Sequence, residues 1–266
     1  MSAPADLMQN IMPWLSALAI SMSRPAGVAV VLPVFTRAQL GGPVRGAIAF
    51  ALGLPVTPSV YEKLTDTSHS LIMLGLLSAK ELMIGIIIGF ILGLPVWGVQ
   101  CAGEMLDTQR SATQGQSEDP ASGNQDSITA GFLAMAVITL FVVSGGLNLM
   151  AGAILSSESL WPPTVLNLSP QPGATTVLLT LLDQLELITL TTGAPVMLAM
   201  LLCEFSIILL MRAIPKLHLY DLAPNLRNLA FTLMIFGYCS WLVVYMKHDL
   251  VTLHHVTGTL NTLLQP

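Results

Sequence analysis

The sequence predicts an all-α membrane protein, and three observations carry the prediction. Charged residues make up 9% and apolar residues 53% of the 266 positions, with a mean hydropathy of +0.74, where a soluble domain has roughly 25% charged residues. Uncharged apolar runs recur along the whole chain, at Pro25–Thr36, Gly46–Tyr61, Leu82–Gly103, Ser127–Ser157, Leu187–Cys203 and Asn228–Met246. The few ionisable residues are gathered at particular places rather than spread.

Each run is measured against the bilayer, whose core takes about 20 apolar residues as helix. The third, fourth and sixth qualify outright. The first reaches that length only by extending back to Ile11 and tolerating Arg24, and the fifth must run over Asp183, Glu186 or Glu204. Polar breaks separate the runs: Gly41-Gly42-Pro43, then Pro55 and Pro58 ahead of Glu62–Ser70. Longer loops are expected at Gly115–Asp126, from Trp161-Pro162-Pro163 to Gly173, and at Arg212–Arg227. No repeat stands out, and the chain reads as one helical domain over 1–266. The basic pairs Arg37 with Arg45 and Arg212 with Lys216 and Arg227, placed inward by the positive-inside rule, give six spans with both termini outside.

The most informative stretch is Gly103-Glu104-Met105-Leu106-Asp107-Thr108-Gln109-Arg110-Ser111-Ala112-Thr113, set between two apolar runs. Ionisable side chains are costly beside hydrocarbon, so such a cluster points to a polar cavity, a partner or a channel. Asp107 and Arg110 are three apart and share a helix face, with Glu104 a further turn back. They read either as a neutralised pair fixing a helix end or as a polar patch on a conduit or subunit seam. Glu204 and Arg212, two turns apart, read as an ion pair or, for Glu204, as a proton-handling carboxyl. Lys80 and Glu81 interrupt an apolar stretch and mark a helix entrance or kink, or a transport site. Arg24 snorkels or caps a helix break, or meets a subunit seam. Gly85, Gly89 and Gly93 repeat every fourth residue, leaving a bare helix face for close packing. Gly145-Gly146 bends or thins the fourth run.

Several function classes fall away. A net charge of −5 offers no basic surface to neutralise phosphates. Cys101, Cys203 and Cys239 are isolated and read as packing residues. Ile11–Val34 lacks the basic flank of a cleaved signal peptide and is expected to stay. No zinc helix, nucleophile turn or phosphate loop is present, and His69, His218, His248, His254 and His255 stand apart from the intramembrane carboxylates. No enzyme activity and no cofactor is expected. A stand-alone ion or small-solute transporter, titrating at Glu204 and Asp107, remains the rival reading, although paired, interrupted halves are not evident.

Pro95-Val96-Trp97-Gly98 followed by Ala102-Gly103-Glu104-Met105-Leu106-Asp107-Thr108-Gln109-Arg110-Ser111-Ala112 resembles the T component of the type III secretion export apparatus, the family of FliR, SpaR and YscT. Asp119-Pro120-Ala121-Ser122-Gly123, Ser144-Gly145-Gly146, Trp161-Pro162, Ala194-Pro195, Glu204-Phe205, Arg212 and Pro215 extend the resemblance in order, from about Ser23 to about Tyr245. Ser111 stands where the family has Gly, His218 where relatives often carry Asn, and Asn225-Leu226-Arg227-Asn228 departs from Pro-Ile-Lys-Ser, with Pro224 displaced by one. The motif around Pro95 and Asp107 leans toward the injectisome branch.

The resemblance implies helical hairpins assembling into an export gate with R and S components, beside a U-type switch protein and a large V-type protein. Unfolded substrates would pass through it at the bacterial inner membrane, with much of the assembly on the outer face. It further implies that Glu104, Asp107, Gln109, Arg110, Asp119 and Pro120 hold a gate loop, from about Ser111 to Asp126, and a subunit seam. Arg24, Lys80, Glu81, Glu204 and Arg212 are then expected as polar anchors.

Overall fold

The computed structural model describes residues 3–65, 70–110, 117–118, 125–166, 174–213 and 223–252. They form helices α1 (Ala3–Val31), α2 (Pro33–Arg37), α3 (Gly42–Gly53), α4 (Thr57–Thr65) and α5 (Leu71–Gln109), then α6 (Ile128–Val143), α7 (Gly146–Leu160), α8 (Ala174–Ala213) and α9 (Ala223–Thr252). Between α5 and α6, β1 (Ser117–Glu118) and β2 (Gln125–Asp126) make a two-residue antiparallel ladder with Ser117 opposite Asp126. The molecule is an all-α membrane protein, as the composition requires.

Six apolar segments match the six expected runs, but their continuity differs from expectation. Ile11–Val31, Leu71–Gln109 and Thr175–Ala213 are unbroken helices long and apolar enough to cross a membrane. The second, fourth and sixth segments qualify only when two helix pieces are taken together. In the fourth, Gly145 adopts φ +83°, a left-handed conformation natural to glycine, and separates α6 from α7. The expected break at Gly145-Gly146 is therefore real, and the fourth run is not one straight span. In the second, α3 and α4 meet at 66° around Leu54-Pro55-Val56.

The chain divides into two compact units: residues 1–93 with 145–181 and the C-terminal stretch from 252, and residues 94–144 with 182–251. In the first, Ala17 and Ile20 of α1 pack with Val56, Val60 and Leu64 of the α4 region and Leu77 of α5. Pro25 has no N–H to donate, which frees the Ser21 carbonyl one turn back. Gly53, the last residue of α3, lies against that turn, where an added Cβ would come within 2.9 Å of the Ser21 oxygen. The expected glycine face of α5 does pack closely. A methyl group at Gly85 would overlap the Arg24 carbonyl oxygen and lie 3.1 Å from Gly27 Cα, and one at Gly89 would lie 3.1 Å from Val28 Cα. Gly93 is buried. Gly27 on α1 completes the contact and was not anticipated.

In the second unit, Leu106 of α5, Val196 and Met200 of α8 and Phe231 of α9 form the core. α5 meets α6 at Gly103, where a Cβ would stand 2.5 Å from Ala130 Cα, and α8 at Gly98, where it would stand 2.7 Å from Ile188 Cγ2. The Thr189 hydroxyl donates to the Gly98 carbonyl at 3.0 Å. Pro195 frees the Thr191 carbonyl inside α8, and the Tyr238 hydroxyl of α9 reaches it at 3.4 Å. Helix interiors tolerate such prolines in membranes when a neighbour supplies the missing donor.

Candidate functional site

α5 ends at Gln109, and a clamp of polar side chains is built on its last turn. Asp107, only 6% exposed, accepts at Oδ1 from Arg110 Nε at 2.8 Å and from Thr129 Oγ1 at 2.6 Å. Its Oδ2 accepts from the Thr129 backbone N–H at 2.9 Å and from the Ser127 hydroxyl. Ser127 is the N-cap of α6 and in turn accepts from the Ala130 N–H at 3.1 Å. The first amides of a helix have no partner within it. Here a capping serine and a carboxylate from another helix fill two of them, and the negative charge sits at the positive end of the α6 dipole.

Arg110 closes the clamp. Its Nη2 pairs with Asp107 Oδ1 at 2.7 Å and donates to Thr129 Oγ1 at 3.3 Å, and its guanidinium lies 4.1 Å above the Phe231 ring of α9. A cation over an aromatic face gains about 0.5–2 kcal/mol, more when desolvated. Gln109 reaches the other way, donating from Nε2 to the Met197 carbonyl of α8 at 3.2 Å. Its own carbonyl accepts from Arg227 Nη1 at 3.1 Å, while Arg227 Nη2 pairs with Glu204 at 2.8 Å. Asp107, Gln109 and Arg110 thus tie the end of α5 to α6, α8 and α9. Residue 111, the first of the 111–126 loop, follows directly.

Several expectations need correction. Glu204 pairs with Arg227 and not with Arg212, because eight residues along one helix separate two side chains by about 12 Å, whereas Arg227 faces Glu204 from α9. Arg212 is exposed near the end of α8. Glu104 shares a helix with Asp107 but is exposed and accepts from Gln100 Nε2 at 3.0 Å, outside the Asp107 network. Asp119 and Pro120, with most of the 111–126 loop, lie outside the described residues, as do Pro215, Lys216 and His218.

Arg24, Lys80 and Glu81 come together in the other unit, in a way the sequence reading missed. α1 runs unbroken through Arg24 and α5 through Lys80, so neither place is a helix break or entrance. Arg24 is 1% exposed and does not snorkel. Its Nε donates to Glu81 Oε2 at 2.7 Å, Nη1 to the Ser157 hydroxyl at 2.7 Å and Nη2 to the Trp161 carbonyl at 2.8 Å. Lys80 Nζ pairs with Glu81 Oε1 at 2.7 Å. Both cations lie on one carboxylate, which explains how three charged groups stay buried.

Ser127, Thr129, Arg227, Phe231 and Ser157 were not singled out as site residues. A signal existed for the first two, since a serine directly before an apolar run is an N-cap signature. Nothing in the sequence marks Phe231 among so many apolar residues. Among the described residues, no three His, Cys, Asp or Glu side chains gather as a metal site.

Such a fold and site define a helical membrane protein whose buried ionisable groups are held by other parts of the protein. Residues 15–253 match the family described as Bacterial export proteins, family 1, and the chain belongs to that family, the T component of the type III secretion export apparatus. It is similar to Yop proteins translocation protein T of Yersinia pestis, at 29% identity over 211 residues, covering 79% of this chain and 80% of the relative. Surface presentation of antigens protein SpaR of Salmonella typhimurium is 29% identical over 226 residues, covering 85% and 83%. Flagellar biosynthetic protein FliR of Caulobacter vibrioides is 25% identical over 146 residues, covering 55% and 58%.

Proposed function

We propose that this chain is a structural subunit of a type III secretion export gate at the bacterial inner membrane. It forms, with R and S components, the closed pore through which unfolded proteins are exported. Asp107, Gln109 and Arg110 fasten the base of the 111–126 loop, and the whole of 1–266 works as one export-apparatus module. The U-type switch protein and the V-type export protein are further neighbours on this reading, with much of the assembly on the periplasmic side. Family membership supports the subunit assignment. One observation carries the loop assignment: Asp107 secures the end of α5 to the start of α6, the two ends from which the loop departs.

The stand-alone transporter is disfavoured by the same geometry. Both Asp107 oxygens are filled by Arg110, Ser127 and Thr129, and Glu204 holds a guanidinium. Asp107 has no oxygen left open for a travelling proton or ion, and Glu204 is already paired with Arg227. The test is Arg110→Ala in the assembled complex. Reduced recovery of the complex or a membrane that leaks ions is expected. Unchanged recovery, ion tightness and secretion would overturn the loop assignment.

A further inference from the structure

The connection from α7 toward α8 contains Trp161-Pro162-Pro163 and is poor in hydrogen-bond donors. Neither proline has an N–H, and the Trp161 N–H is already given to the Ser157 carbonyl at 2.9 Å. The stretch is rich in acceptors at the C-terminal end of α7, where the helix dipole is negative. Four of its carbonyls are met by the buried cations. Lys80 Nζ donates to Pro162 at 2.9 Å, to Val165 at 2.8 Å and more distantly to Pro163 at 3.4 Å, and Arg24 takes the Trp161 oxygen. Non-helical backbone at membrane depth needs partners supplied by protein.

We propose that Lys80 is the positioning residue of this connection: its ammonium, anchored by Glu81 and backed by the Arg24 guanidinium, gathers the Pro162, Pro163 and Val165 carbonyls and latches Trp161–Val165 onto α1 and α5. Glu81 is the hub, with one carboxylate oxygen for each cation. Arg24 reads the end of α7 through Ser157 and Trp161, and Lys80 reads the chain that follows. The latch holds Val165 and Leu166 with their side chains 49% and 40% exposed, so two apolar groups are presented at a fixed place rather than on a loose turn. Lys80 is suited to this task, because an ammonium gives three donors to scattered acceptors where a planar guanidinium fork would not.

The experiment is amide hydrogen exchange on the full chain, purified with its neighbouring export components. Lys80→Met removes the latch and leaves the bonds from Arg24 to Glu81, Ser157 and Trp161 in place, and unchanged protection of α1 and α5 reports that the unit is still folded. The Val165 amide donates to the Pro162 carbonyl that Lys80 also holds, and its exchange then rises roughly tenfold or more, while α5 and α1 keep their protection. Lys80→Ala in the presence of ethylammonium is the second arm. The small ammonium refills the space and restores slow exchange, whereas tetramethylammonium, which carries the charge and no hydrogen-bond donor, does not. Unchanged exchange at Val165 in Lys80→Met overturns the latch. So does exchange that rises equally across the unit, or rescue by tetramethylammonium as good as by ethylammonium. The readout does not depend on secretion, so its failure leaves the export-gate reading standing.

Discussion

At the residue scale, the clamp is decided by which charges are buried and which are not. Asp107 serves both the Arg110 guanidinium and the Thr129 amide in the first turn of α6, so its removal takes the ion pair from the first, which keeps only Thr129 Oγ1 and the Phe231 ring, and the acceptor from the second. Breaking a buried pair by deleting one member costs roughly 3–5 kcal/mol. Asp107→Ala is therefore expected to lower the stability of the chain by about that much in detergent, and Asp107→Asn by less, since an amide oxygen still accepts from Thr129. Equal unfolding midpoints for the two variants would contradict the capping role. The Arg227–Glu204 pair is more modest, because the Glu204 side chain is 44% exposed and water screens such pairs to about 1 kcal/mol or less. Arg227→Met should nevertheless loosen the end of α5, because the Gln109 carbonyl loses its donor too. Arg212→Met should stay within about 0.5 kcal/mol of the parent. A complex sensitive to Arg212 and indifferent to Arg227 would contradict the pairing found here.

At the element scale, glycine placement separates packing from filler. Gly85 and Gly75 both lie on α5, yet an added Cβ overlaps the Arg24 backbone at the first and meets nothing within 4 Å at the second. Gly85→Ala is expected to destabilise by about 1–3 kcal/mol through overpacking. Gly75→Ala is expected to stabilise by about 0.5–1 kcal/mol, because alanine favours helix over glycine. A pair of thermal melts checks both signs. The glycine spacing was legible in the sequence because a four-residue period names one helix face. The partner residue Gly27 was not, since a single glycine in α1 carries no period. The break at Gly145 was legible from a glycine pair in a long apolar run. Arg24 was noticed apart from Lys80 and Glu81, but their meeting depends on α1 and α5 lying side by side, and sequence separation hides that. Glu204 was matched to the cation nearest along the chain, whereas its true partner comes from another helix.

At the scale of the whole molecule, the composition fixed a helical membrane protein and the motif around Asp107 located the clamp, but the reason for the motif lay in the fold. Asp107, Gln109 and Arg110 fall within four successive positions yet point to three different helices, and only the three-dimensional arrangement shows that they converge on one helix end. A subunit made this way buries Arg24, Lys80, Glu81 and Asp107 within itself while leaving apolar helix faces outward, such as Leu201, Leu202 and Phe205 on α8. Lipid or neighbouring subunits can cover such faces, and an export-gate subunit is expected to use subunits for much of them. The most direct measurement is the native mass of the chain expressed with its R and S components and released in mild detergent. The account predicts a mixed complex containing this chain that loses mass or yield when Arg110 is replaced by Ala. A stable monomer or homodimer that ignores those components and conducts protons alone in vesicles would contradict it.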